Sequence, residues 1–194
     1  MNQQSAELSI QVKPLTPDRL GDYLNFFDRD AFTDNPDWAS CYCHFYFAPH
    51  DQKAWEERDG AENRQAVSQL IQAGKMHGYL AYDGEKVIGW CSAGLRKNIP
   101  NVPVSDGHPN ADDIGVIVCF NISPTYRGKG VATQLLDTAL EGLRAQGVKT
   151  VEALPRNDTD SNASNYHGPL AMYLSAGFKP FQEMERFTLM RKEL

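Results

Sequence analysis

The sequence lacks the long apolar run that a membrane-spanning helix requires, since no stretch approaches ~20 consecutive apolar residues. Its first ten residues also lack a basic cluster followed by an apolar segment, the pattern of a secretory signal. We therefore expect a cytoplasmic protein with no membrane partner.

Cysteine is scarce: the chain has 4, at Cys41, Cys43, Cys91 and Cys119, and in a reducing compartment we expect free thiols. The cluster Cys41-Tyr42-Cys43-His44 is too closely spaced for the usual zinc site, and no second Cys/His pair follows at the usual distance. A thiol activated by His44 is the alternative, but cysteines among aromatic side chains more often serve packing. The sequence predicts no metal.

Positive charge is outnumbered, with 19 Lys and Arg against 25 Asp and Glu and a net charge of -6. This balance argues against a nucleic-acid partner, for which a basic surface is expected. The 194 residues, 41% hydrophobic and 23% charged, suit a globular chain with one sizeable core. We predict a single domain over residues 1–194, with residues 1–8 loose.

The most informative stretch of the chain predicts a strand, a turn and a helix. Ile114 to Ile122 is almost continuously apolar and rich in β-branched residues, which is typical of a strand buried on both faces. Pro124 ends this strand. From Val131 the apolar residues follow a helical period, and Gly147 supplies the stop.

The turn between strand and helix favours an anion. Side chains are nearly absent at Gly128, Gly130 and Ala132, so a ligand can approach the backbone N–H groups at the helix start, where the helix dipole is positive. A Walker phosphate loop would need a glycine where Ser123 stands and a hydroxyl after Lys129, and it has neither. A dinucleotide fingerprint, which would need a glycine at Thr133, is disfavoured but stays open.

Around this core the sequence predicts further elements. Ser9 to Lys13 alternates like a strand, and Thr16-Pro17-Asp18 predicts a helix start capped by the threonine hydroxyl. A hairpin turns at Asp83-Gly84. The proline-rich segment from Arg96 to Asn110 predicts a lid or rim, although its proline content would also suit a passive linker.

Arg127, Gly130 and Ala132 match the pattern Arg/Gln-x-x-Gly-x-Gly/Ala, and Tyr173 stands four residues before Gly177-Phe178. In these two motifs the chain resembles the GNAT superfamily of acetyl-CoA-dependent N-acetyltransferases. The resemblance implies an α/β (α+β) fold, in which helices flank a mixed, mostly antiparallel sheet with a splayed central strand pair. It also implies that the cysteine cluster forms a wall of the acceptor pocket.

The resemblance implies acetyl-CoA as co-substrate and a small-molecule or protein amine as acceptor. The diphosphate would bind the turn, and the pantetheine arm would pair with the central strand. The implied cofactor-binding residues are Phe120, Asn121, Ile122, Arg127, Gly128, Lys129, Gly130, Val131, Ala132 and Thr133. The chain departs from the family at Tyr166, where an Asn is usual.

For catalysis the resemblance implies that Tyr173 protonates the leaving thiolate and that a backbone N–H near Ile122 polarises the acetyl carbonyl. The general base is not identified; the candidates are Glu152, His167, Asp112 and Asp113. Direct transfer in a ternary complex is favoured over a covalent acyl-cysteine at Cys119. A catalytically silent CoA-binding or sensor domain and a homodimer both stay open.

Overall fold

The fold is a single seven-stranded sheet flanked by helices. A computed structural model describes residues 9–102, 113–157 and 163–194. The strands are β1 Ile10–Pro14, β2 Gly78–Asp83, β3 Lys86–Leu95, β4 Gly115–Ile122, β5 Thr150–Ala153, β6 Lys179–Glu183 and β7 Thr188–Glu193. The helices within those ranges are α1 Leu20–Arg29, α2 Gly60–Gln72, α3 Val131–Ala145 and α4 Leu170–Ser175.

The strand order is β1-β2-β3-β4-β5-β7-β6, and neighbours pair antiparallel except β4 and β5, which run parallel. These two strands pair only from Gly115 to Ile117 on β4. Beyond Ile117 they part, and the second half of β4 is left with β3 as its only strand neighbour in the described parts of the chain. The mostly antiparallel sheet with a splayed central pair is therefore confirmed.

A β-bulge marks the point where the two strands separate. On β3, Ser92 pairs with Cys119 and Ala93 pairs with Ile117, so Val118 is an extra residue on β4. A bulge bends its strand and redirects the side chains that follow. Here it turns the end of β4 away from β5 and opens the sheet.

Helix α3 covers one face of the sheet, as its predicted apolar period requires. Its buried residues are Val131, Leu135, Leu136, Ala139, Leu140 and Leu143. Gly115 allows this packing at close range, since a Cβ there would lie 2.9 Å from Leu143. Helices α1 and α2 pack on the opposite face, around Tyr23, Phe26 and Trp90.

The predicted helix start at Thr16 is confirmed as the start of a 3₁₀ turn, but the predicted cap by its hydroxyl is wrong. The Thr16 hydroxyl makes no capping bond and instead accepts a hydrogen bond from the Arg19 guanidinium. Pro17–Arg19 forms this 3₁₀ turn, with Pro17 at its first position, and α1 follows directly from Leu20. The hairpin at Asp83-Gly84 is confirmed, with Gly84 at φ 60°.

Two predicted loops lie partly outside the described residues. Of the proposed lid, Arg96–Asn98 forms a 3₁₀ turn, whereas residues 103–112 are not described. The loose N-terminus, residues 1–8, is likewise not described. In the part of the chain that is described, no helix is both long and apolar enough to cross a bilayer.

Candidate functional site

A cleft of about 690 Å³ opens where β4 separates from β5. Its walls come from the segment after α1, the end of β4, the turn before α3 and the start of α4. All but one of the cofactor-binding residues predicted from the sequence line it, namely Phe120, Asn121, Ile122, Arg127, Gly128, Gly130, Val131, Ala132 and Thr133. The exception is Lys129, whose ammonium lies 5.4 Å from the centroid of the Tyr126 ring.

The turn before α3 exposes backbone donors to this cleft. Gly128 and Gly130 have φ values of 72° and 80°, which side-chain-bearing residues rarely adopt. Gly130 is the N-cap of α3, and no side chain caps this 15-residue helix. A Cβ on either glycine would meet nothing within 4 Å, so a ligand has space beside the backbone. The helix start is therefore open to an anion.

Arg127 is held by a carboxylate that the sequence did not connect with it. Both of its terminal nitrogens bind Asp34, with Nη2 3.1 Å from Oδ1, and its Nε donates to the Ile122 carbonyl at 3.1 Å. The hydrogen bonds from Arg127 lower the pKa of Asp34 against a small opposing effect of burial. Any anion that uses the Arg127 guanidinium must compete with Asp34.

The free edge of β4 is partly occupied. The N–H of Phe120 donates to the Tyr166 carbonyl at 2.6 Å, while that of Ser123 donates to Ile88 on β3 at 3.0 Å. Because amide directions alternate along a strand, the N–H of Ile122 points to the cleft, as that of Phe120 does. Sequence reasoning missed Tyr166 as a blocking group because its carbonyl reaches β4 only in the folded chain.

Tyr173 lies behind the cleft wall rather than on it. Its side chain is fully buried, and its hydroxyl donates to the His167 carbonyl at 2.6 Å. Burial raises the pKa of Tyr173 well above its usual value, so the hydroxyl keeps its proton at neutral pH. A proton donor needs that proton, and the role of Tyr173 stays a prediction.

The four candidate bases lie in different surroundings. The Glu152 carboxylate accepts hydrogen bonds from Arg96 and from Arg191, whose Nη2 is 2.6 Å away. Asp113 is exposed before the start of β4, at the end of that strand opposite the cleft, and Asp112 lies outside the described residues. Glu152 and His167 are both buried beside the splayed strands, and of these two only Glu152 has its charge paired with arginines.

The predicted cysteine cluster packs into the core with Tyr23. Tyr42 and Cys43 both adopt positive φ, 46° and 51°, which points Cys43 inward to the Cys119 thiol. The hydrogen bond with Cys43, and then burial, raise the pKa of Cys119 well above its usual value. Burial raises the pKa of Cys41 to about 12.

All four cysteines are free. Within residues 9–102, 113–157 and 163–194, no three His, Cys, Asp or Glu side chains are grouped so as to hold a metal ion. His44, which would have been the partner of a reactive thiol, is buried with its Nδ1 2.7 Å from Asn63 Oδ1.

Known proteins agree with this architecture. The family model for the acetyltransferase (GNAT) family matches residues 35–178. The chain therefore belongs to the GNAT acetyltransferase family. No curated protein matches it by sequence.

Solved structures show the same fold. One is the PaiA N-acetyltransferase of Thermoplasma acidophilum in complex with coenzyme A, with 13% identity, a TM-score of 0.57 and coverage of 96% of this chain and 99% of that one. Another is the ribosomal-protein-alanine N-acetyltransferase of Brucella melitensis, with 16% identity, a TM-score of 0.56 and coverage of 95% and 99%. At these identities the likeness concerns the fold.

Proposed function

We propose that this protein transfers an acetyl group from acetyl-CoA to a primary amine. The observation that carries the proposal is the uncapped, glycine-lined start of α3, which opens into the cleft beside the splayed end of β4. A CoA diphosphate fits the open N–H groups of the turn, because no side chain caps these donors and the helix dipole favours an anion. The coenzyme A complex of the Thermoplasma relative supports the same ligand class.

The cysteines favour direct transfer in a ternary complex. A covalent acyl-cysteine would require a thiolate nucleophile near the thioester. Cys119 is the cysteine on β4 beside the cleft, but it does not line the cleft, and its hydrogen bond with Cys43 and its burial raise the pKa of its thiol. The acceptor amine would consequently attack the thioester itself.

Tyr173 is our candidate for the group that protonates the leaving CoA thiolate. Its hydroxyl stays protonated at neutral pH, and its bond to the His167 carbonyl fixes its position next to the segment that meets β4. To protonate the thiolate, the Tyr173 hydroxyl has to break its hydrogen bond to the His167 carbonyl and donate to the CoA sulfur when the ternary complex forms. The N–H of Ile122, which points to the cleft, is the candidate donor to the acetyl oxygen.

The binding half of the proposal is tested by Gly130→Asp, with Gly147→Asp as the matched control. The two glycines stand at opposite ends of α3, with φ 80° and 83°, and neither has an atom within 4 Å of a new Cβ. Aspartate tolerates this backbone conformation, so both variants should fold. Only the first places a carboxylate where the diphosphate would bind.

Calorimetry should show CoA affinity falling at least tenfold in Gly130→Asp and holding in Gly147→Asp. Equal affinities would refute the assignment of the turn. Acetylation of amines from a panel, followed by chromatography of the CoA released, tests the catalytic half. CoA binding without turnover of any amine would favour a silent CoA-binding domain.

A further inference from the structure

His167 stands in a buried aromatic cluster that the proposed function does not use. Only 4% of the residue is exposed. Its Nε2 lies 3.0 Å from the Tyr46 hydroxyl oxygen, and its ring packs against Tyr46, Tyr166 and Phe187 with centroids 6.0, 4.2 and 5.5 Å away. A polar pair placed among aromatic rings costs desolvation free energy, so packing alone does not account for it.

The pair sits beside the place where the strands part. Tyr166 and Gly168, the neighbours of His167 in the chain, both line the cleft. The Tyr166 carbonyl accepts a hydrogen bond from the Phe120 N–H on β4, and the His167 imidazole faces the backbone of Val118 at the bulge. His167 itself does not line the cleft, but both of its neighbours in the chain do.

Tyr46 links this interior histidine to solvent. It is half-buried, and its carbonyl accepts a hydrogen bond from the N–H of Asn101 at 3.0 Å, which fixes its segment against the loop after β3. Burial raises the pKa of Tyr166, but a hydrogen bond that the Tyr166 oxygen accepts from the Tyr46 hydroxyl acts in the opposite direction. The Tyr46 hydroxyl thus contacts both His167 and Tyr166, and of these three residues Tyr166 lines the cleft.

The surroundings keep the imidazole neutral. Burial lowers the pKa of His167 to about 4, the backbone of Val118 opposes this shift, and the charge of Arg156 adds to it. The other titratable groups that face the ring are Tyr46 and Tyr166, whose own pKa values are raised by burial. At neutral pH, Nε2 can therefore accept a proton.

We propose that His167 is the general base of the acetyl transfer and that the Tyr46 hydroxyl passes the proton to it. This inference rests on the proposed function. The acceptor nitrogen attacks the acetyl carbon, a C–N bond forms, and the C–S bond breaks with its electron pair on sulfur. The nitrogen's proton moves to Tyr46 Oη while the Tyr46 proton moves to His167 Nε2.

The remaining proton transfers return both residues to their starting states. Tyr173 gives its proton to the thiolate, and water that enters as the products leave reprotonates Tyr173 and takes the proton from the imidazolium. Glu152 is not suited to this role because two guanidinium groups bind its carboxylate.

The test uses His167→Gln, Tyr46→Phe and the double variant, with acetyl-CoA and the amine that the panel identifies. Glutamine keeps a hydrogen-bonding group near Tyr46 but is no base, so it separates a structural role from proton transfer. Tyr82→Phe is the control, because it removes a hydroxyl that binds Asp22 at 2.8 Å, between α1 and β2.

We expect each single variant to lower kcat by ~10²–10⁴ while the KM for acetyl-CoA is unchanged. The double variant should be no slower than the slower single variant, because the two residues act on one proton. Tyr82→Phe should keep the wild-type kcat. Wild-type kcat in His167→Gln, or losses that multiply in the double variant, would refute the relay and leave the acetyltransferase assignment intact. If no amine is acetylated, the proposed function and the relay both fail.

Discussion

Replacing Asp34 by asparagine should tighten CoA binding. The carboxylate holds both terminal nitrogens of Arg127 at the rim of the cleft, so a bound diphosphate must either leave this guanidinium to Asp34 or displace it. The neutral amide of the variant would no longer hold a charge-assisted pair, and Arg127 could turn to the phosphates. The substitution also removes a negative charge from the wall of an anion site.

The expected size of the change in CoA affinity follows from the solvent exposure of the Arg127 and Asp34 side chains. The Arg127 and Asp34 side chains are 29% and 44% exposed, so solvent screens their attraction. Partly exposed pairs contribute up to ~1 kcal/mol, which corresponds to a Kd lower by roughly fivefold at most. Because Arg127 lowers the pKa of Asp34, the carboxylate is ionised throughout the neutral range, and the gain should be the same at pH 6 and pH 8.

Titration calorimetry of CoA against wild type and Asp34→Asn measures this directly. Asp28→Asn is the matched control, since Asp28 also forms a bidentate pair with an arginine, Arg64, outside the residues that line the cleft. Weaker CoA binding in Asp34→Asn would refute the reasoning and show that Asp34 positions Arg127 for the ligand. An equal gain in CoA affinity in both variants would show that the gain comes from the change in net charge and not from the release of Arg127.

Three further predictions concern catalysis and stability. Tyr173→Phe should leave CoA affinity unchanged and lower kcat by ~10²–10⁴, because the hydroxyl would act only in the transition state; an unchanged rate with chemistry rate-limiting would exclude it as the donor. Glu152→Gln should lower the free energy of unfolding in urea by ~3–5 kcal/mol, since two guanidinium groups would lose their buried counter-charge. The pKa of His167 falls from 6.5 to about 4 on folding, so its contribution to stability is present above pH 6.5 and is lost as pH falls towards 4. Wild type should therefore lose ~3 kcal/mol more between pH 7 and pH 4 than His167→Gln does, and equal losses in urea titrations would contradict the burial of a neutral imidazole.

Several parts of the fold and site could be predicted from the sequence because their causes are local. The β-branched run before Pro124 and the helical period from Val131 identified β4 and α3 almost to the residue. The glycines of the intervening turn identified the cleft, since a backbone conformation with positive φ is a property of the chain at that point. The missing cap at Thr16 is also a local matter, because its hydroxyl accepts a hydrogen bond from Arg19 instead.

Other features depend on residues far apart in the chain. Asp34 meets Arg127 across 93 positions, and Tyr46 meets His167 across 121. Neither pair has a sequence signal. The sequence does not distinguish these residues from any other Asp or Tyr in a loop, because only the folded sheet brings each partner near. The hydrogen bond that occupies the Phe120 N–H likewise depends on the position of the Tyr166 carbonyl in the folded chain.

The sequence by itself therefore determined which elements form and where an anion can meet exposed backbone, because periodicity and glycine content act within a few residues. The tertiary structure alone decided which charges and hydroxyls face that place. In the folded chain Tyr173 is buried, the Glu152 carboxylate is hydrogen-bonded to two arginines, and His167 is neutral beside the bulge of β4. Burial and partner choice set a side chain's chemistry, and both are properties of the packed molecule.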